Sequence, residues 1–164
     1  MATKLWSWMS ELTDFAKSQG VREVIWLETE EAYASAREEY DREEYDSPIS
    51  WLGFFCPERE VILINLYGLK LDSKWQFHRY GGPLLDVEDD PCAYFPSTNE
   101  EDAWDKLTFK TFCHELQHFI QCKHGRLGES LALLESEAET VAINCLLTFK
   151  QCGHLDEVKR LFVA

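Results

Sequence analysis

The segment His114-Glu115-Leu116-Gln117-His118 carries the pattern H-E-x-x-H within a stretch of helical periodicity. Residues four apart lie on one face of an α-helix, so His114 and His118 can point at the same ion. Two histidine nitrogens and one further protein ligand leave the fourth position of a tetrahedral zinc open. The motif therefore predicts a helix with a zinc site on one face and a neighbouring element that brings the third ligand.

Glu115, between the two histidines, indicates the chemistry of such a site. Zinc lowers the pKa of bound water, and a carboxylate at this position is placed to accept the proton. The motif therefore predicts metal-assisted hydrolysis, most often of a peptide bond. The alternative interpretation is a surface helix with two solvated histidines and a glutamate, since short motifs also occur by chance.

The composition is that of a globular protein with an acidic surface. Of the 164 residues, 45% are hydrophobic, which predicts one domain over residues 1–164 with a proper core. The formal net charge of -14 argues against nucleic acid and anionic membranes as partners, because both attract basic proteins. A solvated acidic surface also keeps a protein soluble.

Targeting and redox signals favour a cytoplasmic protein. The sequence has no run of eighteen apolar residues, so no transmembrane helix is expected. The amphipathic segment 1–20 lacks the basic and apolar regions of a signal peptide. Without a secretion signal, the six cysteines are expected to be reduced thiols.

The first part of the chain shows patterns of both helix and strand. Apolar residues recur at helical spacing up to Gly20, and the acidic segment 28–46 is expected to be helical at its centre, with a solvated face. In chain order the predictions are a helix ending at Gly20, a strand over 21–27, a helix over 30–45, and a β-hairpin with strands over 49–56 and 61–67.

The segment 68–97 contains several glycines and prolines and has no sustained period. This pattern predicts a long loop, and loops of this length are usually functional or mobile. His78 and Tyr80 in this loop are candidates for stabilising the oxyanion of a tetrahedral intermediate, with ordinary surface residues as the alternative. The same loop is a candidate cover for a latent active site.

Two helices in succession are predicted after this loop. A capping residue within 97–99 begins the first helix, which contains the motif and ends near Gly125. The second helix runs from about 129 to 151 and ends at Gly153. A helix that packs beside the motif is the natural source of the third ligand.

The second predicted helix carries three acidic candidates for that ligand, Glu135, Glu137 and Glu139. A carboxylate at one of these positions can reach back across the helix pair to the metal. Glutamate is also common on exposed helix faces, and the residues alone leave the choice open.

The motif and its surroundings resemble a known group of enzymes. His-Glu-Leu-Gln-His-Phe-Ile-Gln, a short glycine-containing link and Glu-Ala-Glu-Thr-Val-Ala are similar to gluzincin metallopeptidases, closest to small zincin domains of bacteria and phages such as the ImmA/IrrE-like group. The resemblance covers about residues 49–149. It implies Glu137 as the third ligand, Glu135 as the alternative, and Glu139 as a possible partner of a ligating histidine.

A competing ligand is His124, six residues after His118, as in the metzincin pattern H-E-x-x-H-x-x-G-x-x-H. That pattern needs glycine where this chain has Gln121. It also needs a downstream Met-turn, whereas the only methionines are Met1 and Met9. Both departures favour His124 as a polar residue at the helix end, where a cation is favourable.

The predicted fold is α+β and zincin-like, with a small, mostly antiparallel twisted sheet, an N-terminal helix and a two-helix zinc-binding layer. The predicted function is a zinc metallopeptidase that acts on a protein or peptide, with His114, His118 and Glu137 as ligands and Glu115 as general base. By the resemblance, the substrate lies along a strand at the sheet edge. The alternative is a catalytically silent zinc-binding scaffold that acts as a protein-interaction module, for example a phage or host-interaction protein.

Overall fold

A computed structural model describes residues 5–40, 51–87, 90 and 92–162. These residues form an α+β fold of six helices and one three-stranded sheet. The elements are α1 Trp8–Gln19, β1 Glu23–Leu27, α2 Glu30–Tyr40, β2 Gly53–Cys56, β3 Val61–Asn65, α3 Leu66–Tyr80, α4 Glu100–Lys123, α5 Leu131–Cys152 and α6 Asp156–Arg160.

The sheet has the strand order β1-β3-β2 and is mixed. β2 and β3 form the predicted antiparallel hairpin, but β1 pairs with β3 in parallel, Glu23 opposite Val61. The expectation of a mostly antiparallel sheet is therefore wrong. All five residues of β3 are buried, and a strand that is apolar on both faces belongs at the centre of a sheet. β3 consequently lies between its hairpin partner and β1.

The two faces of β3 contact different helices, because alternate side chains point to opposite faces of a sheet. Ile62 and Ile64 belong to the large core cluster, together with residues of α1, α4 and α5. Val61 and Leu63 pack in a second cluster with Ala36 of α2. The sheet is thus covered on both faces, and α4 lies on the side of the larger core.

The N-terminal helix agrees with the sequence pattern. Its buried residues are Trp8, Met9, Leu12 and Ala16. The helix ends at Gly20, which has φ 118° in the left-handed region and donates its N–H to the carbonyls of Ala16 and Lys17. Glycine adopts this conformation without steric cost, which explains why the helix stops there.

The segment 68–97 is not one long loop. Helix α3 follows β3 directly, and Asn65 caps it, with Oδ1 accepting a hydrogen bond from the Gly68 N–H at 3.0 Å. Between α3 and α4 the described residues are irregular, with an isolated bridge between Leu84 and Tyr94. His78 and Tyr80 therefore belong to the last turn of a helix.

The two predicted C-terminal helices are confirmed as α4 and α5. Asn99 caps α4 by accepting from the Asp102 N–H at 2.8 Å, and Gly153 ends α5 with φ 75°. Successive contact residues along α4 have partners at decreasing residue numbers along α5. The two helices therefore form an antiparallel pair.

Some predictions fall partly outside the described residues. These are the end of the second helix at 41–45 and the start of the hairpin at 49–50. All six cysteines are described, and all are free thiols, as expected. Within the described ranges, none of the helices combines the length and apolar character needed to cross a membrane.

Candidate metal centre

Three potential metal ligands converge between α4 and α5. The Nε2 atoms of His114 and His118 are 3.1 Å apart. Glu135 of α5 places Oε2 at 3.1 Å from His114 Nε2 and Oε1 at 2.9 Å from His118 Nε2. Among the described residues, these three form the group of His, Cys, Asp and Glu side chains that could hold a metal ion.

The third member of this group is Glu135 and not Glu137. In an α-helix, residues two apart point in directions about 200° apart, whereas residues four apart share a face. Glu135 and Glu139 therefore face the histidines together. Glu137 lies on another face, where its carboxylate accepts from Arg126 Nη1 at 2.6 Å and Nη2 at 2.7 Å. The structure does not bring Glu137, the first choice from sequence, to the histidines.

The ring of His114 is oriented by a charged partner. His114 Nδ1 lies 3.0 Å from Glu139 Oε2, and the ammonium of Lys110 donates to Glu139 Oε1 at 2.6 Å. An ionised carboxylate only accepts hydrogen bonds, so Nδ1 carries a proton. Nε2 faces Glu135 Oε2 and His118 Nε2, where a bound metal would take its lone pair. Glu139 thus occupies the place beside a histidine that the sequence analysis suggested for it.

The ring of His118 is oriented by a neutral partner. Gln121, which is fully buried, places Oε1 at 2.9 Å from His118 Nδ1. Its Nε2 donates to the carbonyl of Leu134 at 3.0 Å. Because the amide nitrogen must face that carbonyl, the amide oxygen must face the histidine. His118 therefore donates from Nδ1 and turns Nε2 toward Glu135 and His114, where a bound metal would take its lone pair.

These contacts shift the charges of the site. Burial by itself lowers the pKa of His114, but the hydrogen bond with Glu139 and the nearby carboxylates raise it above its usual value. Burial by itself raises the pKa of Glu139, but its hydrogen bond with His114 and the charge of Lys110 lower it to about 2. Glu139 is therefore ionised under all ordinary conditions.

The donor set fits zinc. Two imidazole nitrogens and one carboxylate oxygen are common zinc ligands, and ligands about 2.0–2.1 Å from a tetrahedral zinc are about 3.3 Å apart. Here the two Nε2 atoms are 3.1 Å apart, each lies within 3.1 Å of a different oxygen of Glu135, and one donor atom from each residue fits within 4.8 Å of the others. In both histidines Nδ1 is hydrogen-bonded elsewhere and Nε2 faces the centre, and the side chain of Glu135 is 50% exposed. The centre is therefore accessible from solvent.

Glu115 is buried on the sheet side of α4, with 7% of its surface exposed. Burial raises its pKa, although the charges of His114 and His118 act in the opposite direction. A Cβ added at Gly53 of β2 would lie 2.8 Å from Glu115 Cγ and 2.7 Å from Thr111 Cγ2. Glu115 thus occupies space that only a glycine at position 53 leaves free.

Two depressions meet at His114. A cavity of about 330 Å³ lies between β2, α3 and α4, and its lining includes Gly53, His114 and Glu115. An open groove of about 690 Å³ runs along α5, and its lining includes His114, Glu135 and Glu139. The candidate metal centre is therefore flanked by space on two sides.

The other sequence candidates lie apart from this centre. His124 is exposed at the C-terminal end of α4, outside the ligand group. His78 pairs with Glu100, and the ring of Tyr80 contacts Trp75. None of these candidates is among the residues that line the two depressions.

Four further residues that contribute to the centre were not identified from sequence. Lys110 lies four positions before His114, and Gln121 lies three positions after His118, spacings that place both beside the histidines on the helix. That spacing was the available signal. Arg126 and Gly53 act through contacts distant in sequence, for which the sequence gives no comparable signal.

Comparisons with protein-family models, with curated proteins and with solved structures return no match for the chain. The function proposed below is therefore supported by the residues and geometry of this chain.

Proposed function

We propose that the protein is a zinc-dependent peptidase with His114, His118 and Glu135 as ligands and Glu115 as general base. The observation that carries the proposal is the convergence of both histidine Nε2 atoms on each other and on the carboxylate of Glu135, with contacts of 2.9 to 3.1 Å. Nδ1 of each imidazole is hydrogen-bonded to another partner, so Nε2 is the atom turned toward the centre. A buried carboxylate and a cavity lie beside them.

Zinc bound by these donors would acidify water and polarise a carbonyl group. Glu115 accepts the proton of the attacking water and delivers it to the leaving amine. Burial raises the pKa of Glu115 toward the working pH, which favours a carboxylate that must both accept and release a proton. Glu139 and Gln121 keep the two imidazoles in place during this transfer.

The edge of the sheet supports an extended peptide as the substrate. The Leu52 carbonyl accepts from the Asn65 N–H at 2.8 Å, so the backbone groups of Leu52 face β3. In an antiparallel ladder successive residues alternate in direction, and the N–H and C=O of Gly53 therefore point to the open edge of β2. A peptide paired there, by β-augmentation, would pass along the cavity that His114 and Glu115 line.

The experiment that tests this function measures zinc content and peptide cleavage in the wild type and in Glu115→Gln. We expect about one zinc per chain in both proteins and cleavage of a diverse peptide library by the wild type alone. Cleavage by Glu115→Gln at the wild-type rate would refute the role of Glu115. Stoichiometric zinc without cleavage of any peptide would favour the silent zinc-binding scaffold over the peptidase.

A second experiment tests the third ligand. Glu135→Ala removes one donor oxygen and leaves the contacts of Glu139 with His114 and Lys110 in place. We expect this variant to lose stoichiometric zinc while its circular dichroism spectrum and unfolding midpoint match those of metal-free wild type. Full retention of zinc with wild-type affinity would remove Glu135 from the ligand set.

A further inference from the structure

Glu137 lies at the centre of a second network between α4 and α5. Its carboxylate accepts from Arg126, from Gln117 Nε2 at 3.1 Å and from Gln121 Nε2 at 3.4 Å. Two of these hydrogen bonds come from the charged guanidinium of Arg126. An acceptor paired with a cation therefore lies behind the amide of Gln121, on the side away from His118.

The orientation of the Gln121 amide sets the tautomer of His118. With Oε1 toward the ring, Nδ1 must donate, which leaves Nε2, the atom that faces Glu135 and His114, as the atom that would bind a metal. A reversed amide would present its NH₂ to Nδ1, which would then have to accept. The ring proton would move to Nε2, where it would occupy the position of the metal bond.

Two acceptors oppose that reversal. The Leu134 carbonyl and Glu137 Oε1 both require the NH₂ of Gln121 on their side. A reversed amide would place its oxygen against the carboxylate of Glu137, inside a site where Gln121 is fully buried. An unfavourable contact between two acceptors is costly where water has no access.

Arg126 holds this carboxylate in place. Two of its guanidinium nitrogens donate to the two oxygens of Glu137, and its backbone N–H donates to the Gln121 carbonyl at 2.9 Å. A bidentate arginine pair combines charge with a defined direction. The turn between α4 and α5 is thereby tied to both Glu137 and the residue that contacts His118.

We propose that Arg126 and Glu137 are positioning residues for His118: through the amide of Gln121 they hold the ring with Nδ1 toward Gln121 and Nε2 toward Glu135 and His114. The inference rests on the proposed zinc site, because it assigns the support of one of its ligands. Glu137 thereby acts on the centre without contacting a metal.

The test compares Glu137→Ala with Glu129→Ala. Glu129 also pairs with Arg126, at 2.8 Å, but has no contact with Gln121 among those observed. Zinc affinity is measured by competition with a chromophoric chelator. The tautomer of His118 is measured by nitrogen NMR of metal-free proteins that all carry Glu135→Ala, because the Glu135 carboxylate, 2.9 Å from His118 Nε2, would itself favour a proton on that atom. The NMR readout responds to ring orientation and not to general stability.

We expect Glu137→Ala to weaken zinc binding about 10- to 100-fold, the usual effect of losing an outer partner of a ligand. Its spectrum should show a new Nε2-protonated population of His118. Glu129→Ala should match the wild type in both measurements. Wild-type zinc affinity and an unchanged His118 spectrum in a folded Glu137→Ala would overturn the proposal.

Two further measurements keep the result decisive. If Glu137→Ala does not fold, Gln121→Met is measured in its place. This variant removes the acceptor for His118 Nδ1, so the same change of tautomer is expected. Absence of that change would overturn the proposal. If the wild type binds no zinc, the proposed function fails, but NMR of the metal-free proteins still tests whether Glu137 sets the tautomer.

Discussion

The two histidines of the candidate centre are supported by different chemistry. His114 contacts the charged carboxylate of Glu139, which is paired with the ammonium of Lys110. His118 contacts the neutral amide of Gln121, and the corresponding charge pair of Glu137 and Arg126 lies one residue further away.

This difference separates two tasks that a partner of a ligating histidine performs. A carboxylate fixes the ring and also makes it more basic, which agrees with the raised pKa of His114. An amide fixes the ring by hydrogen bonding alone, and it does so only while its own orientation is fixed. The charge of Glu139 therefore acts directly on His114. The charge pair of Glu137 and Arg126 acts on His118 only by fixing the orientation of the amide between them.

The largest effect is expected from the loss of either histidine, because the two are equivalent as proposed ligands. His114→Ala and His118→Ala each remove one donor nitrogen, and both variants should lose stoichiometric zinc. Elemental analysis after dialysis against trace zinc measures this loss. A variant that still carries one zinc per chain with wild-type affinity would show that its histidine is not a ligand.

The next largest effect concerns Glu115, which is held by neither of the two histidine partners, Glu139 and Gln121. Gly53→Ala places a Cβ within 2.8 Å of Glu115 Cγ, so the carboxylate must move. We expect turnover to fall about 100-fold, since a displacement of about 1 Å in a catalytic group has effects of this size. Zinc affinity should stay within about twofold, because both histidine supports remain intact.

A matched control for this variant is Gly128→Ala. A Cβ at that position has no neighbour within 4 Å, so zinc binding and turnover should equal those of the wild type. If Gly53→Ala retained full turnover, the close packing of Glu115 against β2 would have no catalytic importance.

A substitution of Glu139 tests the comparison directly. Glu139→Gln replaces the charged support of His114 by an amide like that of His118. The ring can still donate from Nδ1, but the negative charge is lost, so the pKa of His114 should fall and zinc affinity should decrease about tenfold. NMR titration and chelator competition measure the two quantities. An unchanged pKa of His114 would mean that the charge of Glu139 does not distinguish the support of His114 from that of His118.

Much of the fold could be predicted because its apolar residues follow a regular period. In α1 the buried positions Leu12 and Ala16 are four apart, and the following Gly20 ends the helix. Helix α3 was missed for a physical reason. Two of its four buried residues, Ser73 and Gln76, are polar, so their helical spacing does not register as an apolar stripe.

The histidine pair and Glu115 lie together on α4 as the motif predicts, whereas the choice among the three glutamates depended on helix packing. Glu135 and Glu137 flank the buried stripe of α5 on opposite sides, next to Leu134 and Ala138. Which flank faces the histidines depends on how α5 is rotated against α4. That rotation results from packing along the whole interface and is not encoded in the acidic segment alone.

The smallest expected effect concerns stability in acid. The pKa values of Glu137 and Glu139 are about 2, below the usual 4.5. A lowered pKa means that each carboxylate stabilises the folded state above about pH 4.5, and that this contribution is lost as the pH falls toward 2. Urea unfolding of metal-free protein across this range should therefore show a steady loss of unfolding free energy.

The different exposure of the two carboxylates predicts which one contributes more to this loss of unfolding free energy in acid. The side chain of Glu139 is 17% exposed and that of Glu137 is 30% exposed, so solvent screens the pairs of Glu137 more strongly. Near pH 7 we expect Glu139→Gln to lower the unfolding free energy by about 2 kcal/mol and Glu137→Gln by about 1 kcal/mol. Both variants should lose less stability than the wild type between pH 4.5 and 2. Equal pH dependence in all three proteins would mean that neither carboxylate is more strongly stabilised in the folded state than in the unfolded chain.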